Sequence, residues 1–157
     1  MALAGELEIE RAVAGLKAAA DSTRLRILLL LAEGELNVKD LTNILGQSQP
    51  RISRHVKLLG EAGLIERVRE GSWVFCRLAD GPGGALARAL VQSVNANDPV
   101  YVRDRQRAEE VKAEREMAAQ AYFRAHAADW DRIRALHVSE AEVEAAMREA
   151  LGTERVE

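Results

Sequence analysis

The chain has 157 residues, a net charge of −3, 48% hydrophobic residues and only 4% aromatic residues, which suits one domain, with or without an extension, whose core is packed from Leu, Ala and Val. Its longest apolar run, residues 27–32, is too short to cross a bilayer, and we expect no secretory signal. A single cysteine excludes an intrachain disulfide and is typical of the reducing cytoplasm, where we expect this protein to be.

Two helices are predicted first. Residues 6–20 have the periodicity of an amphipathic helix. The next helix is capped by Asp21 or Ser22 and runs to about Glu33. The residues predicted to face inward from the first helix are Leu7, Val13, Leu16 and Ala20.

A short helix, a tight turn and a second helix are predicted between Val38 and Gly63. Gly46 ends the first of these helices, Ser48 caps the second, and Pro50 lies in its first turn, where a missing N–H costs nothing. Apolar residues at helical spacing define the buried faces. They are Val38, Leu41, Ile44 and Leu45 in the first helix and Ile52, Val56 and Leu59 in the second.

A two-stranded hairpin follows, with a predicted turn at Glu70-Gly71. In the strand on each side of this turn, successive side chains alternate between the two faces. Residues 36–79 hold seven Lys/Arg and four Asp/Glu, a net +3, so the rest of the chain carries −6. Helix, turn, helix and basic hairpin is the order of a winged helix-turn-helix, whose second helix fits the DNA major groove. The alternative interpretation is a solvated amphipathic helix beside a hairpin, whose cations form an ordinary charged surface. The order and lengths of these elements instead favour a domain that binds double-stranded DNA.

The predicted DNA-binding residues share the polar face of the second helix or lie near the hairpin tip. Base contacts are expected from Arg51, Ser53 and Arg54, together with Gln49, and contacts with phosphate or the minor groove are expected from the hairpin. His55 is expected to touch a phosphate or base edge rather than a metal. The full predicted set is Ser48, Gln49, Arg51, Ser53, Arg54, His55, Lys57, Arg67, Arg69 and Ser72.

Four segments resemble the ArsR/SmtB family of bacterial winged-helix repressors: TRLRILLLLA (23–32), ELNVKDL (35–41), SQPRISRHVKLL (48–59) and GLIERVREGSWVFCRL (63–78). The resemblance covers roughly residues 8–96. It implies a homodimer that packs its first and last core helices across the dimer axis. It also implies binding to an imperfect palindrome and release from DNA when an effector binds.

The resemblance also implies where metal ligands would lie. The family's thiolate site has Cys at the positions of Asn37 and Lys39, and its second site uses Asp, His and Glu where residues 81–97 have none of these. We therefore predict no metal site. Cys76 is interpreted as a small strand residue. His126, Asp129 and His137 could form a weak metal site, but an aromatic packing face is the better interpretation.

The last third begins with a predicted break at residues 80–84, a helix at 85–96, and a new segment at Asn97. Residues 100–136 contain no Gly or Pro and predict one helix of about 55 Å. We expect its charged first half to stand in water as a spacer. Its second half carries a stripe of Tyr122, Phe123, His126, Trp130, Ile133 and His137. A capping box of Ser139 and Glu142 starts a final helix with Val143, Met147 and Leu151, which ends at Gly152.

We thus predict a mostly α protein with a small β-hairpin: a winged helix-turn-helix domain (1–97) and a long C-terminal helical extension (98–157). The predicted function is transcriptional regulation, as a homodimeric repressor on a pseudo-palindromic operator, with a small-molecule effector as a further partner. No catalytic motif or cofactor site is found, so no enzyme is predicted.

Two alternatives stay open. The extension resembles the connector to a methyltransferase domain in longer family members, so the chain could be the N-terminal part of a regulator that responds to S-adenosylmethionine or S-adenosylhomocysteine. It could also be a protein-interaction module that uses the long helix.

Overall fold

A computed structural model of the protein describes the backbone of residues 6–137 and the side chains of residues 6–127 and Asp129. Its elements in chain order are α1 Ile9–Ala19, α2 Ser22–Leu31, β1 Leu36–Asn37, α3 Val38–Leu45, α4 Gln49–Glu61, β2 Ile65–Glu70, β3 Trp73–Leu78, α5 Pro82–Gln92 and α6 Pro99–His137. This order confirms the predicted fold class. The predicted final helix and its capping box lie outside the described residues.

The predicted helix-turn-helix is confirmed in detail. Asp21 caps α2 by accepting a hydrogen bond from the backbone N–H of Arg24 at 3.0 Å. Gly46 ends α3 in the left-handed region, at φ +66°, and Ser48 is the N-cap residue of α4. All seven apolar residues predicted to face inward from α3 and α4 are buried, as are five successive residues of α2, so these helices share one core.

The sheet differs from the predicted hairpin in two ways. It has a third strand, β1, and its order is β1-β3-β2, all antiparallel. The turn is Gly71-Ser72 rather than Glu70-Gly71, because Glu70 pairs with Trp73. Gly71 has φ +62°, which favours glycine at the first turn position.

The inward face predicted for α1 is wrong for the single chain. Val13 and Leu16 are 41% and 48% exposed, Leu7 precedes the helix, and Ala20 follows it. The residues of α1 that are buried are instead Gly15 and Ala19. α1 therefore packs through small residues and leaves large apolar side chains at the surface.

α5 begins at Pro82, inside the segment predicted to be a break, and ends at Gln92, before the predicted end. The glycines of that segment have a packing role. A Cβ at Gly83 would clash with the carbonyl oxygen of Gly63, and one at Gly84 would clash with the carbonyl oxygen of Ala79. Glycine lets the first turn of α5 lie directly on the chain around the hairpin.

α6 is one continuous helix, as predicted, but its first turns do not stand in water. Asp104, Ala108 and Val111 are 2%, 8% and 4% exposed. The Asp104 carboxylate accepts two hydrogen bonds of 2.8 Å from the guanidinium of Arg26 on α2. These hydrogen bonds are the main reason that the pKa of Arg26 is raised. The start of α6 is thus packed on the winged-helix core.

Two compact units are recognised, Met1–Lys112 and Ala113–Glu157. The first contains α1 to α5, the sheet and the start of α6; the described part of the second is the remainder of α6. Our boundary after Asn97 stays a prediction. Among the described helices, none combines the length and apolarity needed to cross a bilayer.

Candidate nucleic-acid interface

The polar face of α4 is the centre of the candidate interface. Ile52, Val56 and Leu59 are at most 1% exposed, so they fix which side of α4 turns outward. Six of the predicted DNA-binding residues are exposed on or beside this outer face: Ser48, Gln49, Arg51, Ser53, Arg54 and Lys57. No acidic residue lies between Asp40 and Glu61, so this face has the charge that a phosphate backbone attracts.

The predicted DNA-binding residues of the hairpin lie at different distances from its tip. Arg67, Arg69 and Ser72 are all exposed. Arg69 lies one residue pair before the turn, opposite Val74. Arg67 lies farther back, with its guanidinium over Gly60 at the end of α4. Arg77 is engaged by Glu66 through a hydrogen bond of 2.9 Å. Within this hairpin, Arg69 is therefore the cation best placed near the tip.

His55 does not share the full exposure of its neighbours on α4. It is half-buried, and its Nδ1 lies 3.2 Å from a guanidinium nitrogen of Arg24 on α2. The pKa of His55 is lowered, chiefly because burial disfavours the charged ring. Sequence reasoning assigned no role to Arg24. The available signal was its position three residues after the cap Asp21, which places it in the first turn of α2.

The turn between α3 and α4 is tied to the same end of α2. The Gln47 side-chain amide donates a hydrogen bond of 3.0 Å to the hydroxyl of Thr23. Sequence reasoning also missed this contact, because both residues fall outside the apolar stripes. Together with Arg24 and His55, it joins the start of α2 to the start and middle of α4.

The positions of the family's thiolates have other roles in this chain. Asn37 is 3% exposed, and its side chain accepts a hydrogen bond of 2.7 Å from the Asp40 N–H, while the Asp40 carboxylate accepts one from the Asn37 N–H. The Lys39 ammonium lies 5.9 Å from the centre of the Trp73 ring. Asn37 is thus the N-cap of α3, and Lys39 covers an aromatic residue of the hairpin.

Cys76 is fully buried in β3, and burial raises the pKa of its thiol to about 11. A protonated, buried thiol is a poor metal ligand. Among the described side chains, those of residues 6–127 and Asp129, no group of three or more His, Cys, Asp or Glu residues is placed to hold a metal ion, and the side chain of His137 lies outside this set.

The family model for "Bacterial regulatory protein, arsR family" matches residues 21–67. An uncharacterized HTH-type transcriptional regulator, MJ1325 of Methanocaldococcus jannaschii, is 42% identical over 72 residues, which span 45% of this chain and 81% of that protein. The chain belongs to the arsR family. The arsR-family match runs from the cap of α2 into β2, so it contains α3, α4 and Arg24.

Other arsR-family likenesses are partial. The arsenical resistance operon repressor of Escherichia coli is 56% identical over 64 residues, which cover 40% of this chain and 55% of that protein. The arsenic resistance transcriptional regulator ArsR1 of Pseudomonas putida is 54% identical over 63 residues, covering 40% and 49%. The chain thus spans about half the length of these two relatives.

Among solved structures, reduced HlyU from Vibrio cholerae is 35% identical, with a TM-score of 0.48 over 53% of this chain and 87% of that one. A homodimeric winged helix-turn-helix domain of Mb0332 from Mycobacterium bovis is 29% identical, with a TM-score of 0.47 over 57% and 85%.

Proposed function

We propose that this arsR-family chain is a transcriptional repressor that binds double-stranded DNA as a homodimer, with α4 in the major groove. The observation that carries this proposal is the face of α4 opposite Ile52 and Val56, which is exposed, basic and free of acidic residues. Arg51 and Arg54 are the residues suited to bidentate contacts with guanine. The protein is expected to act in the cytoplasm.

The hairpin extends the same interface. Arg69 and Ser72 near its tip contact phosphate or the minor groove, while Arg67 supports the hairpin against α4. Phosphate contacts set the orientation of the protein, and base contacts from α4 set the sequence that it prefers.

The homodimer is supported by α1. Ile9, Val13 and Leu16 are 83%, 41% and 48% exposed and recur at positions i, i+4 and i+7 on one side of the helix. A contiguous apolar stripe of this kind marks a protein contact. A homodimer that binds a pseudo-palindromic site would set its two α4 helices in successive major grooves, about 34–36 Å apart.

Release from DNA does not depend on a metal at the family's thiolate positions in this proposal. Asn37 supports it because its side-chain oxygen is already occupied in capping α3. Lys39 brings a positive charge beside the same site. The effector is then a small molecule, and S-adenosylmethionine or S-adenosylhomocysteine stays the alternative that the connector resemblance suggests.

The decisive experiment is in vitro selection of DNA bound by the chain, followed by affinity measurements on the selected site. The parent should select a two-fold symmetric sequence. The variants Arg51→Ala and Arg54→Ala should bind the selected site more weakly and relax the preference at the base pairs that they contact. Arg103 is exposed on α6, so Arg103→Ala is the matched control and should keep the parent's preference. Recovery of no preferred sequence, or equal binding by all four proteins, would contradict the proposal.

Metal dependence is tested on the same site. Micromolar zinc or arsenite should leave the complex intact, and dissociation would overturn the metal-independent part of the proposal. Thermal shifts with S-adenosylmethionine and S-adenosylhomocysteine test the alternative.

A further inference from the structure

We propose that Arg24 is a positioning residue for DNA recognition: by donating a hydrogen bond to Nδ1 of His55, it holds this imidazole as the neutral tautomer whose proton is on Nε2, so that α4 offers an uncharged N–H donor to a phosphate. The inference rests on the proposed DNA-binding function. It adds a residue outside α4 and the hairpin to the binding machinery.

The side chain of Arg24 is held at two points. Its Nε donates a hydrogen bond of 2.6 Å to the carbonyl oxygen of Ala18, near the end of α1. Its Nη1 lies 3.2 Å from Nδ1 of His55 on α4. The guanidinium therefore connects the end of α1 to the middle of α4. Its planar geometry fixes where the imidazole ring of His55 can lie.

The chemistry of the two groups decides the direction of this hydrogen bond. A guanidinium has N–H donors and no acceptor, so Nδ1 of His55 must be the acceptor. A ring nitrogen that accepts carries no proton. The imidazole is then neutral, and its one proton is on Nε2. Protonation of Nδ1 would set two donors against each other and break the contact.

The surrounding charges agree with a neutral ring. Burial lowers the pKa of His55 most, and only Asp21, at the start of α2, acts in the opposite direction. Arg24 on α2 and Arg51 and Arg54 on α4 all lower this pKa further. At neutral pH the ring is therefore a directional hydrogen-bond donor and not a fourth cation on this face.

A neutral donor has a distinct signature in DNA binding. Cations that neutralise phosphates displace counterions, and this makes affinity fall steeply with salt. A contact from neutral His55 adds affinity without adding to that salt dependence. Loss of the phosphate-contacting Arg69 should therefore lower the salt slope, whereas loss of His55 should not.

The tautomer can be observed directly in the free protein by long-range proton–nitrogen correlation spectra of 15N-labelled histidine rings, with His55 assigned by comparison with His55→Gln. We expect Nδ1 unprotonated and Nε2 protonated at pH 7. In Arg24→Ala the ring should become a mixture of tautomers, and its titration should move to higher pH. An Nδ1-protonated or fully protonated ring in the parent would overturn the inference.

Two substitutions at His55 test the consequence for DNA. Gln can place its amide N–H near the position of ring Nε2, whereas Asn can place its amide only near ring Nδ1. On the selected site we expect His55→Gln to bind within about threefold of the parent, and His55→Asn to bind about 10-fold more weakly, as for one lost hydrogen bond to a charged group. Arg24→Ala should resemble His55→Asn, with circular dichroism checking that each variant is folded.

The salt slope separates this inference from the proposed function. His55→Asn should leave the slope at the parent value, while Arg69→Ala, which removes a phosphate contact, should lower it by about one unit. Equal affinity of His55→Gln and His55→Asn, with Arg54→Ala still impaired, would overturn the role of Arg24 and His55 alone. Failure of the parent to bind any selected DNA would overturn both proposals.

Discussion

Single residues on α4 and on the hairpin should affect DNA binding in different ways. Arg54→Ala should cost about 1–3 kcal/mol of binding free energy on the selected site and relax the preference at one base pair, because a bidentate base contact is lost.

Arg69→Ala should weaken binding to all sequences alike and lower the salt slope by about one unit, because a phosphate contact is lost. Titrations of each variant on selected and scrambled DNA, at several salt concentrations, measure both effects. An Arg69→Ala slope equal to that of the parent would exclude the phosphate contact.

Cys76 should be an inert thiol in the folded protein. Its pKa of about 11, against 9.0 for the ordinary group, leaves about 100-fold less thiolate at pH 8. Burial also keeps a reagent from reaching the sulfur atom. Labelling with an alkylating reagent should be slow in native conditions and rapid in denaturant. Rapid native labelling would show that β3 opens or that Cys76 is not buried.

The ion pair between Arg26 and Asp104 should matter more than a surface pair. Asp104→Asn should lower the free energy of unfolding by about 2 kcal/mol, since it weakens charge-assisted hydrogen bonds at a buried carboxylate whose partner is a quarter exposed. The matched control is Glu110→Gln, which breaks an exposed pair with Arg107 at 3.1 Å and should cost less than about 0.5 kcal/mol. Chemical denaturation measures both, and equal effects would contradict this assignment.

At the level of elements, α3 and α4 could be predicted because their apolar stripes, glycine stop and cap are all local signals. β1 could not, because it has two residues and exists only by pairing with β3. The start of α5 was missed since Pro82, Gly83 and Gly84 resemble a loop, whereas tight packing decides their conformation. The buried side of α6 was missed because its residues lie among charged ones, although Asp104, Ala108 and Val111 have the i, i+4, i+7 spacing of one helix face.

The exposed stripe of α1 predicts how the dimer could be broken. Val13→Glu or Leu16→Glu should give a monomer in sedimentation at tens of micromolar and should weaken binding to a palindrome, because a buried carboxylate would be unpaired across the contact. Arg11→Glu is the control, since Arg11 is also exposed but lies nearly opposite this stripe. The folded monomer should keep a far-ultraviolet dichroism spectrum like that of the parent. A parent chain that is itself monomeric at this concentration would refute the dimer.

At the level of the whole molecule, the described part of the stripe on the second half of α6 presents aromatic side chains at the surface, while the side chains of Trp130, Ile133 and His137 lie outside the described residues. Tyr122 and Phe123 are 56% and 59% exposed, and the rings of Tyr122 and His126 are stacked at 4.0 Å. Our expectation that this stripe packs on another surface stays a prediction. The start of α6 is different, because its inner side is already packed on the winged helix, and this changes where the chain can be shortened.

Truncation after Lys112 should leave the stability and DNA binding of the protein close to those of the parent, whereas truncation after Asn97 should give a clearly less stable protein. The shorter form lacks Asp104, Ala108 and Val111, so it loses the partner of Arg26 and two buried apolar side chains. Together these should cost about 4 kcal/mol, a large share of the 5–15 kcal/mol that is typical of a domain. Thermal denaturation and affinity for the selected site would be measured on both forms. Equal stability of the 1–97 and 1–112 forms would mean that the start of α6 does not stabilise the winged helix. Loss of DNA binding by a folded 1–112 form would mean that the part of α6 after Lys112 is needed for DNA binding.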